Sequence, residues 1–402
     1  MCHTILASKA PNLLAAMFMT KPADLVIIGG GLAGLSLAQR LAQRATGGRV
    51  IIIEPRTVYK DDRSWAFWTP ADGKWAKAAS RIWTHWRFGA RSGAMVTASD
   101  PRWNYAYLRS STVYDRACAE ISSTPLITLA LGVRAFGLQR SSNGVEVETS
   151  AGKVCAHHVI DTRPPNELRI AGSLLLQSFY GREIMLADAA NDTVVDVMCD
   201  MRSDANGFVF AYVLPLTPKR ILVEITRFST ASYGSAALAP DLNALLTARG
   251  WADAPVLREE FAVLPMGLPA EASHCNLVGL VHAGTSAGAL RAATGFGFLR
   301  IQNWADRCAD KIANGQPPIT HMPEPRLRAW MDAVFLRALA ANPARAPEFF
   351  LRLADRVPPA SLARFLSDDA RWGDILHVMA ALPPAPFLSA IPPQRVTRRR
   401  VT

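Results

Sequence analysis

Several things are scarce in this sequence, and each scarcity excludes a class of protein. Its six cysteines, Cys2, Cys118, Cys155, Cys199, Cys275 and Cys308, are scattered, with no C-x-x-C pair and no histidine at ligand spacing. That argues against a zinc site and a disulfide framework, so no metal ligand is assigned and reduced cytoplasmic thiols are expected. No apolar run of about 18 residues occurs, so no spanning helix is expected. There is no internal repeat and no low-complexity tract. Acids are outnumbered, 33 against 44 Lys and Arg, leaving a net charge of +11 carried mostly by arginine. Such a surface suits an anionic lipid or an acidic cofactor, and a genome-wide preference for arginine explains it equally well. No nucleic-acid partner is expected.

What is present is 402 residues, half of them apolar and 19% charged. That is enough chain for a core and a bound cofactor, arranged as two domains or as one large core with an inserted layer. The first residues, MCHTILASKAPNLLAAMFMT, lack a strongly basic start and are interrupted by Pro11. Residues 1–22 read as a leader or an over-long start, with translation from Met17 or Met19.

The strongest motif follows. Asp24–Ile28 is a short β-rich run, and Gly29-Gly30-Gly31-Leu32-Ala33-Gly34 continues it as G-x-G-x-x-G. Leu35, Leu37, Ala38, Leu41 and Ala42 then recur at helical spacing. A second strand, Val50–Ile53, ends on Glu54, 20 residues after Gly34. Gly29 permits a tight turn, Gly31 lets the backbone approach a pyrophosphate, and Gly34 lets helix pack on strand. The helix N-terminus offers N–H groups to the phosphates, and Glu54 is placed to accept from ribose hydroxyls. The motif alone does not separate FAD from NAD; its position near the start of a chain this long favours FAD.

Further along, Asp61-Asp62-Arg63-Ser64-Trp65-Ala66-Phe67-Trp68 packs three aromatics into four residues. It is either a surface loop entering a core strand or a loop lining the flavin or a large apolar substrate. Trp103, Tyr105 and Tyr107 alternate as a strand with one aromatic face, and residues 112–121 read as helix. Ser142-Asn143-Gly144 is a hairpin turn, and residues 174–228 read mainly as β. In Ile221–Phe228, alternation puts Leu222, Glu224 and Thr226 on one face. A carboxyl buried there would keep its proton near neutral pH and could donate it. Residues 276–300 hold an apolar strand, then Gly284, Thr285, Gly288, Thr294 and Gly295, then a helix, as in the second cofactor-contacting segment of FAD proteins. From Arg326 the chain reads as helices that either cap the fold or cover a lipid-like substrate at a membrane. It ends in a basic tail, Arg395 to Arg400, suited to anionic lipid.

These stretches together resemble the bacterial lycopene β-cyclases. The similarity runs from about residue 24 to 390 through DLVIIGGGLAGLSLA, DDRSWAFW, WNYAYLRSSTVYDRA, VIDTRP, LLLQSFYGREI, FVFAYVLPLTPKRILVEITRFS, LPMG and AGTSAGALRAATGFGFLRIQ. The resemblance implies an isomerase that protonates a linear carotenoid end group and closes it to a β-ring. It implies FAD, reduced by NAD(P)H but with no net redox change, and lycopene or a related linear carotenoid as substrate. Glu224 matches the family's required acid. Gly29, Gly31, Leu32, Ala33, Gly34, Glu54, Gly284, Thr285, Gly288, Thr294 and Gly295 are the expected cofactor residues. Arg63, Trp65, Phe67, Trp68 and Phe296 are the expected substrate-lining residues. Three departures stand out: Ile225 where many relatives have a second acid, Arg291 where they have lysine or histidine, and Phe296 where they have tyrosine.

The expected fold is α/β, an FAD-binding Rossmann-like doubly wound domain with an inserted β-rich substrate domain and a C-terminal helical region. Its segments are residues 23–80, the first part of the FAD domain; 81–275, mixed substrate- and FAD-domain segments; 276–315, the second FAD-contacting segment; 316–392, a helical cap; and 393–402, the tail. The resemblance implies a cytoplasmic protein held peripherally at the membrane, with other carotenoid enzymes as partners. The rival expectations are an FAD/NAD(P)H-dependent monooxygenase or halogenase, a prenyl reductase acting on an isoprenoid, and a non-catalytic carotenoid- or lipid-binding flavoprotein.

Overall fold

The computed structural model describes residues 21–142, 144–167, 170, 172–268 and 277–391. The basic tail and nearly all of the expected leader lie outside the described residues. The glycine turn sits between β1 (Ala23–Ile28) and α1 (Leu32–Gln43), and β2 (Val50–Glu54) completes the opening unit. The chain continues through β3 (Ser64–Pro70), α2 (Lys74–Ala78), β4 (Arg81–Trp83), β5 (His85–Ala90), β6 (Met95–Ser99) and β7 (Trp103–Arg109). Then come α3 (Ser110–Ser122), β8 (Ile127–Leu131), β9 (Ala135–Ser141), β10 (Gly144–Thr149) and β11 (Gly152–Asp161). Four long strands follow: β12 (Leu175–Met185), β13 (Val194–Asp204), β14 (Gly207–Thr217) and β15 (Arg220–Ser229). After α4 (Ser235–Ala248), β16 (Val256–Met266), β17 (Leu280–His282) and α5 (Phe298–Ala313), the rest is helical. These helices are α6 (Arg326–Ala341), α7 (Ala346–Arg356), α8 (Pro359–Leu366), α9 (Trp372–Ala381) and α10 (Pro384–Ser389).

Three sheets result. The first runs β8-β2-β1-β11-β10-β9, with β17 also beside β11. Its β8, β2, β1, β11 and β17 are parallel, and β9 and β10 add antiparallel hairpins. β1 and β2 are buried almost throughout because both faces are covered, as parallel strands require. One face packs Leu25, Ile27, Val50 and Ile52 against α1, α3 and α5. The other packs Val26, Ile28, Ile51 and Ile53 against Val145, Val147 and Val154. Each such side chain contributes about 1.5–3 kcal/mol by burial.

The second sheet runs β16-β12-β15-β14-β13-β5-β6. One face carries Val209, Ala211, Val223 and Ile225 and is closed by Leu238, Leu242 and Leu245 of α4. The other carries Phe208, Phe210, Leu214 and Leu222 and meets the C-terminal helices, with Phe208 stacked on Phe350. A third sheet, β3-β7-β4, stands between these two assemblies. The architecture is the expected one: a Rossmann-like α/β unit, a β-rich insert and a helical C-terminal region.

Candidate functional site

The glycine turn has separate physical demands at each position. Gly29 sits at φ +101, and a Cβ there would lie 2.6 Å from Thr162 Oγ1. A Cβ on Gly34 would lie 1.9 Å from the Gly29 carbonyl oxygen, so helix and strand meet too closely for any side chain. A Cβ on Gly31 would meet nothing within 4 Å. That open space lies at the start of α1, which has no side-chain cap and no acid in its first turn. The backbone N–H groups of Leu32, Ala33 and Gly34 belong to this uncapped turn, where an anion is favoured by geometry and by the helix dipole.

Glu54 ends β2 beside the turn and is buried. Its Oε2 accepts from Gly30 N at 2.6 Å, and its Oε1 accepts from Arg56 N at 2.9 Å and Arg56 Nε at 2.8 Å. Tyr59 donates its hydroxyl to the Gly30 carbonyl at 2.9 Å, with the Arg56 guanidinium 4.8 Å from its ring centroid. Arg56 and Tyr59 were not singled out in the sequence; a cation and an aromatic just past the expected acid were the available signal.

Gly284, at φ +73, completes the cradle, since a Cβ there would approach the Thr162 carbonyl oxygen at 3.2 Å and Ala33 Cβ at 3.6 Å. Its N–H donates to His321 Nε2 at 3.0 Å. Burial, with the Arg300 and Arg307 charges, lowers the His321 pKa to about 4, so the ring is neutral and free to accept. Thr285 follows in the 3₁₀ turn Gly284–Ala287, which Gly288 ends at φ +87 with open space around it. The donor set and the room at Gly31 fit a dinucleotide phosphate.

A second feature adjoins this cradle. A cleft of about 960 Å³, counting its open mouth, lies between the third sheet, the large sheet and the segment before α5. Its walls include Trp65, Phe67, Tyr105, Tyr212, Leu222 and Phe296. Thr294 and Gly295, expected at the cofactor, line this same cleft. A mainly apolar lining with a few convergent polar groups is that of a small-molecule site.

Glu224 enters the cleft from the middle of β15. Strand alternation puts Ile225 on the opposite face, fully buried under α4. A second acid at that position would face a dry core and not the cleft, so this departure leaves the cleft unaltered. Thr226 Oγ1 lies 3.2 Å from Glu224 Oε1. Register then brings in a residue that sequence reasoning missed. Gly181 of β12 pairs with Glu224 on one side and with Glu260 of β16 on the other. A Cβ on Gly181 would lie 3.1 Å from Glu224 Cβ and 3.4 Å from Glu260 Cγ. The two acids thus share the space over one glycine.

Glu260 is fixed from two sides. Ser64 Oγ lies 2.8 Å from each of its oxygens, and Arg258 Nη1 donates to its Oε2 at 2.7 Å. Arg258 also donates to Tyr107 Oη at 3.2 Å and to the fully buried Glu183 at 3.2 Å. Glu183 meets Arg109 and Arg220 as well, and Arg109 ties in Asp61 of the loop before β3. Burial, then the neighbouring Glu260 charge, raise the Glu224 carboxyl well above the usual carboxylate range. The same burial raises Tyr105 and Tyr212, and the Tyr105 hydroxyl has no hydrogen-bond partner among the described residues. The arrangement presents to an aromatic-walled apolar space a carboxyl whose charged form is disfavoured. An isolated glycine inside a strand, as at Gly181, is the one signal that marked close approach here.

Two expected lining residues lie elsewhere. Arg63 precedes β3 with its side chain mostly exposed and paired with Asp62 at 3.1 Å, so it does not line the cleft. The next residue, Ser64, reaches inward instead. Trp68 is buried against Trp86 and Tyr105 and borders a smaller hollow behind the cleft, with its ring 6.1 Å from Phe296. Trp65 and Phe67 line the cleft. Arg291 is buried in an ion pair with Asp332 at 3.1 Å and lies 4.3 Å from the Phe365 ring centroid. Its charge is therefore spent within the structure.

Residues 24–391 match the lycopene cyclase protein family. The lycopene beta-cyclase of Pantoea ananas is 25% identical over 400 residues, covering 94% of this chain and 99% of that protein. The lycopene beta-cyclase of Paracoccus sp. (strain N81106 / MBIC 01143) is 27% identical over 397 residues, covering 92% and 96%. Among solved structures, a geranylgeranyl bacteriochlorophyll reductase-like protein from Thermoplasma acidophilum superposes with a TM-score of 0.59 at 14% identity, over 92% of this chain and 98% of that one. The p-nitrophenol 4-monooxygenase of Pseudomonas putida gives 0.53 at 15% identity, over 92% and 99%. These two likenesses concern the fold alone.

Proposed function

The chain belongs to the lycopene cyclase family, and we propose that it closes the linear ψ end groups of lycopene to β-rings, giving γ-carotene, β-carotene or both. One observation carries this reading: Glu224 stands in an apolar cleft with its pKa raised by burial and by Glu260.

The steps balance without an oxidant. The Glu224 carboxyl gives its proton to the terminal double bond of the end group, leaving a tertiary cation. A neighbouring double bond attacks that cation and closes the six-membered ring. Loss of a ring proton to the Glu224 carboxylate yields the β-ring and restores the acid. Substrate and product are isomers. Trp65, Phe67 and Tyr105 offer π faces to the passing cation. The apolar walls exclude water that would trap it as an alcohol.

FAD is the cofactor in this reading, held by Gly29, Gly31, Leu32, Ala33, Gly34, Glu54, Gly284, Thr285 and Gly288, with Thr294 and Gly295 at the junction with the cleft. Bound and reduced by NAD(P)H, it would supply electron density that stabilises a cation, with no net redox change. The expected location is the cytoplasmic face of a membrane, by peripheral contact. No helix among the described residues is long and apolar enough to cross a membrane.

The test is pigment analysis in lycopene-accumulating bacteria. The wild-type chain should convert lycopene to γ- or β-carotene. Glu224→Gln should leave lycopene, with flavin still bound. Lycopene left intact by a folded, flavin-bound wild type overturns the reading.

A further inference from the structure

A second apolar cleft opens in the C-terminal helices, away from Glu224. Its walls come from α6, α7, α9 and α10, with Phe335, Phe350, Leu353, Val378, Leu382 and Phe387 inside. Phe335 packs against Phe350 and Phe387, with ring centroids 5.7 and 5.9 Å apart. The mouth is at the surface, where Trp330, Met379, Leu388 and Ile391 are 40–65% exposed. The charged groups in the wall are Arg291 and Asp332, and they neutralise one another at 3.1 Å, nearly fully buried. A hydrocarbon would meet no unpaired charge there.

This cleft is continuous in its walls with the catalytic one. Thr294 and Leu366 line both. The small hollow between them is lined by Thr294 and Leu366 too, and by Phe296 and Tyr212 from the catalytic side. Ala293, Phe350 and Leu353 line it from the helical side. Three apolar spaces therefore follow one another from the exposed rim to Glu224, with Thr294 and Leu366 at the neck.

We infer that the helical cleft binds the trailing chain of the linear polyene while its end group lies at Glu224. The inference rests on the cyclase reading for the identity of the hydrocarbon. A long linear apolar ligand suits the site because the apolar spaces share lining residues and are arranged in series. A compact ligand would need only the first. This assignment also gives the C-terminal helices a role in substrate length that a plain structural cap would not have.

The test separates this inference from the chemistry. Lycopene binding is measured in the Glu224→Gln background, by quenching of tryptophan fluorescence, so that turnover is not required. Leu353→Trp fills the passage, and Leu388→Asp charges the exposed mouth, where folding is not at stake. Each should weaken lycopene binding about tenfold, equivalent to about 1.4 kcal/mol. In flavin-loaded protein with Glu224 intact, kcat/KM for lycopene should fall about tenfold relative to that for a half-length acyclic polyene with the same end group, a difference of about 1.4 kcal/mol. Unchanged lycopene binding in both variants, or equal losses on long and short polyenes, overturns the inference. Failure of cyclisation with length-dependent binding intact would count against the cyclase reading alone.

Discussion

Glu224 and Glu260 face one another over Gly181, which has no side chain to hold them apart. This pairing disfavours the charged form of the Glu224 carboxyl. Burial alone disfavours its charge, and a second carboxylate nearby disfavours it further. Arg258 and Ser64 bind Glu260 and leave Glu224 to the cleft. In the proposed cyclisation it is the protonated form of Glu224 that would act.

The pH profile should report this directly. Activity that needs protonated Glu224 is present below its pKa and is lost as pH rises through it. Glu260→Gln removes one of the two main causes that raise that pKa. The alkaline limb should therefore move to lower pH, with activity surviving under acid conditions. A limb that stays in place would show that Glu260 does not act on Glu224.

Gly181→Ala asks whether the spacing matters. The new Cβ would crowd Glu224 at 3.1–3.3 Å and Glu260 at 3.4 Å. Those contacts are tolerable for folding but displace the carboxyls by tenths of an ångström. We expect kcat to fall by up to about 100-fold, as for other misplacements of reacting groups, with little change in Tm. Equal losses of activity and stability would mean that the glycine serves the sheet and not the acids.

The sequence made one half of this site legible and hid the other. The glycine turn could be read because its glycines, the strand before it and the helix after it are contiguous in the chain, with Gly34 answering to the carbonyl of Gly29. Glu224 could be read because it interrupts an apolar strand. Glu260 could not, because it follows Glu259 in a strand where two acids suggest a solvated edge. Only the pairing of β16 with β12, some 80 residues apart in the chain, turns it inward. Which of Arg63 and Ser64 faces the cleft was hidden for a smaller reason. The phase of β3 at its first residue decides which side chain faces the cleft, and composition does not fix that phase.

Glu183 should prove structural. It is fully buried and meets Arg109, Arg220 and Arg258. Burial would raise its pKa, but the Arg109 charge and the Arg220 and Arg109 hydrogen bonds outweigh it and hold the carboxyl low. Its contribution is thus present above the unfolded-state pKa and is lost as pH falls through the folded one. Glu183→Gln leaves three guanidinium groups poorly compensated. The loss should sit at the low end of about 3–5 kcal/mol, since Arg220 stays more than a third exposed. Urea unfolding near neutral pH measures it, and the variant should show a shallower acid-induced loss than wild type.

Two glycines of the turn should behave in opposite ways, which separates packing from cofactor binding. Gly34→Ala places a methyl 1.9 Å from the Gly29 oxygen, inside any allowed contact, so backbone must move. Overpacking of this kind costs about 1–3 kcal/mol or more, and flavin should be lost together with stability. Gly31→Ala meets nothing within 4 Å, and its φ of −75° suits an alanine. Its stability should change by less than about 0.5 kcal/mol. The added methyl nevertheless occupies the space where a pyrophosphate would approach the backbone. Flavin affinity should then fall at least about tenfold while Tm of the flavin-free protein holds, a loss of about 1.4 kcal/mol in binding alone. Flavin content per chain and thermal unfolding of the stripped protein give the two readings. Full flavin retention in Gly31→Ala would place the phosphates somewhere other than the start of α1.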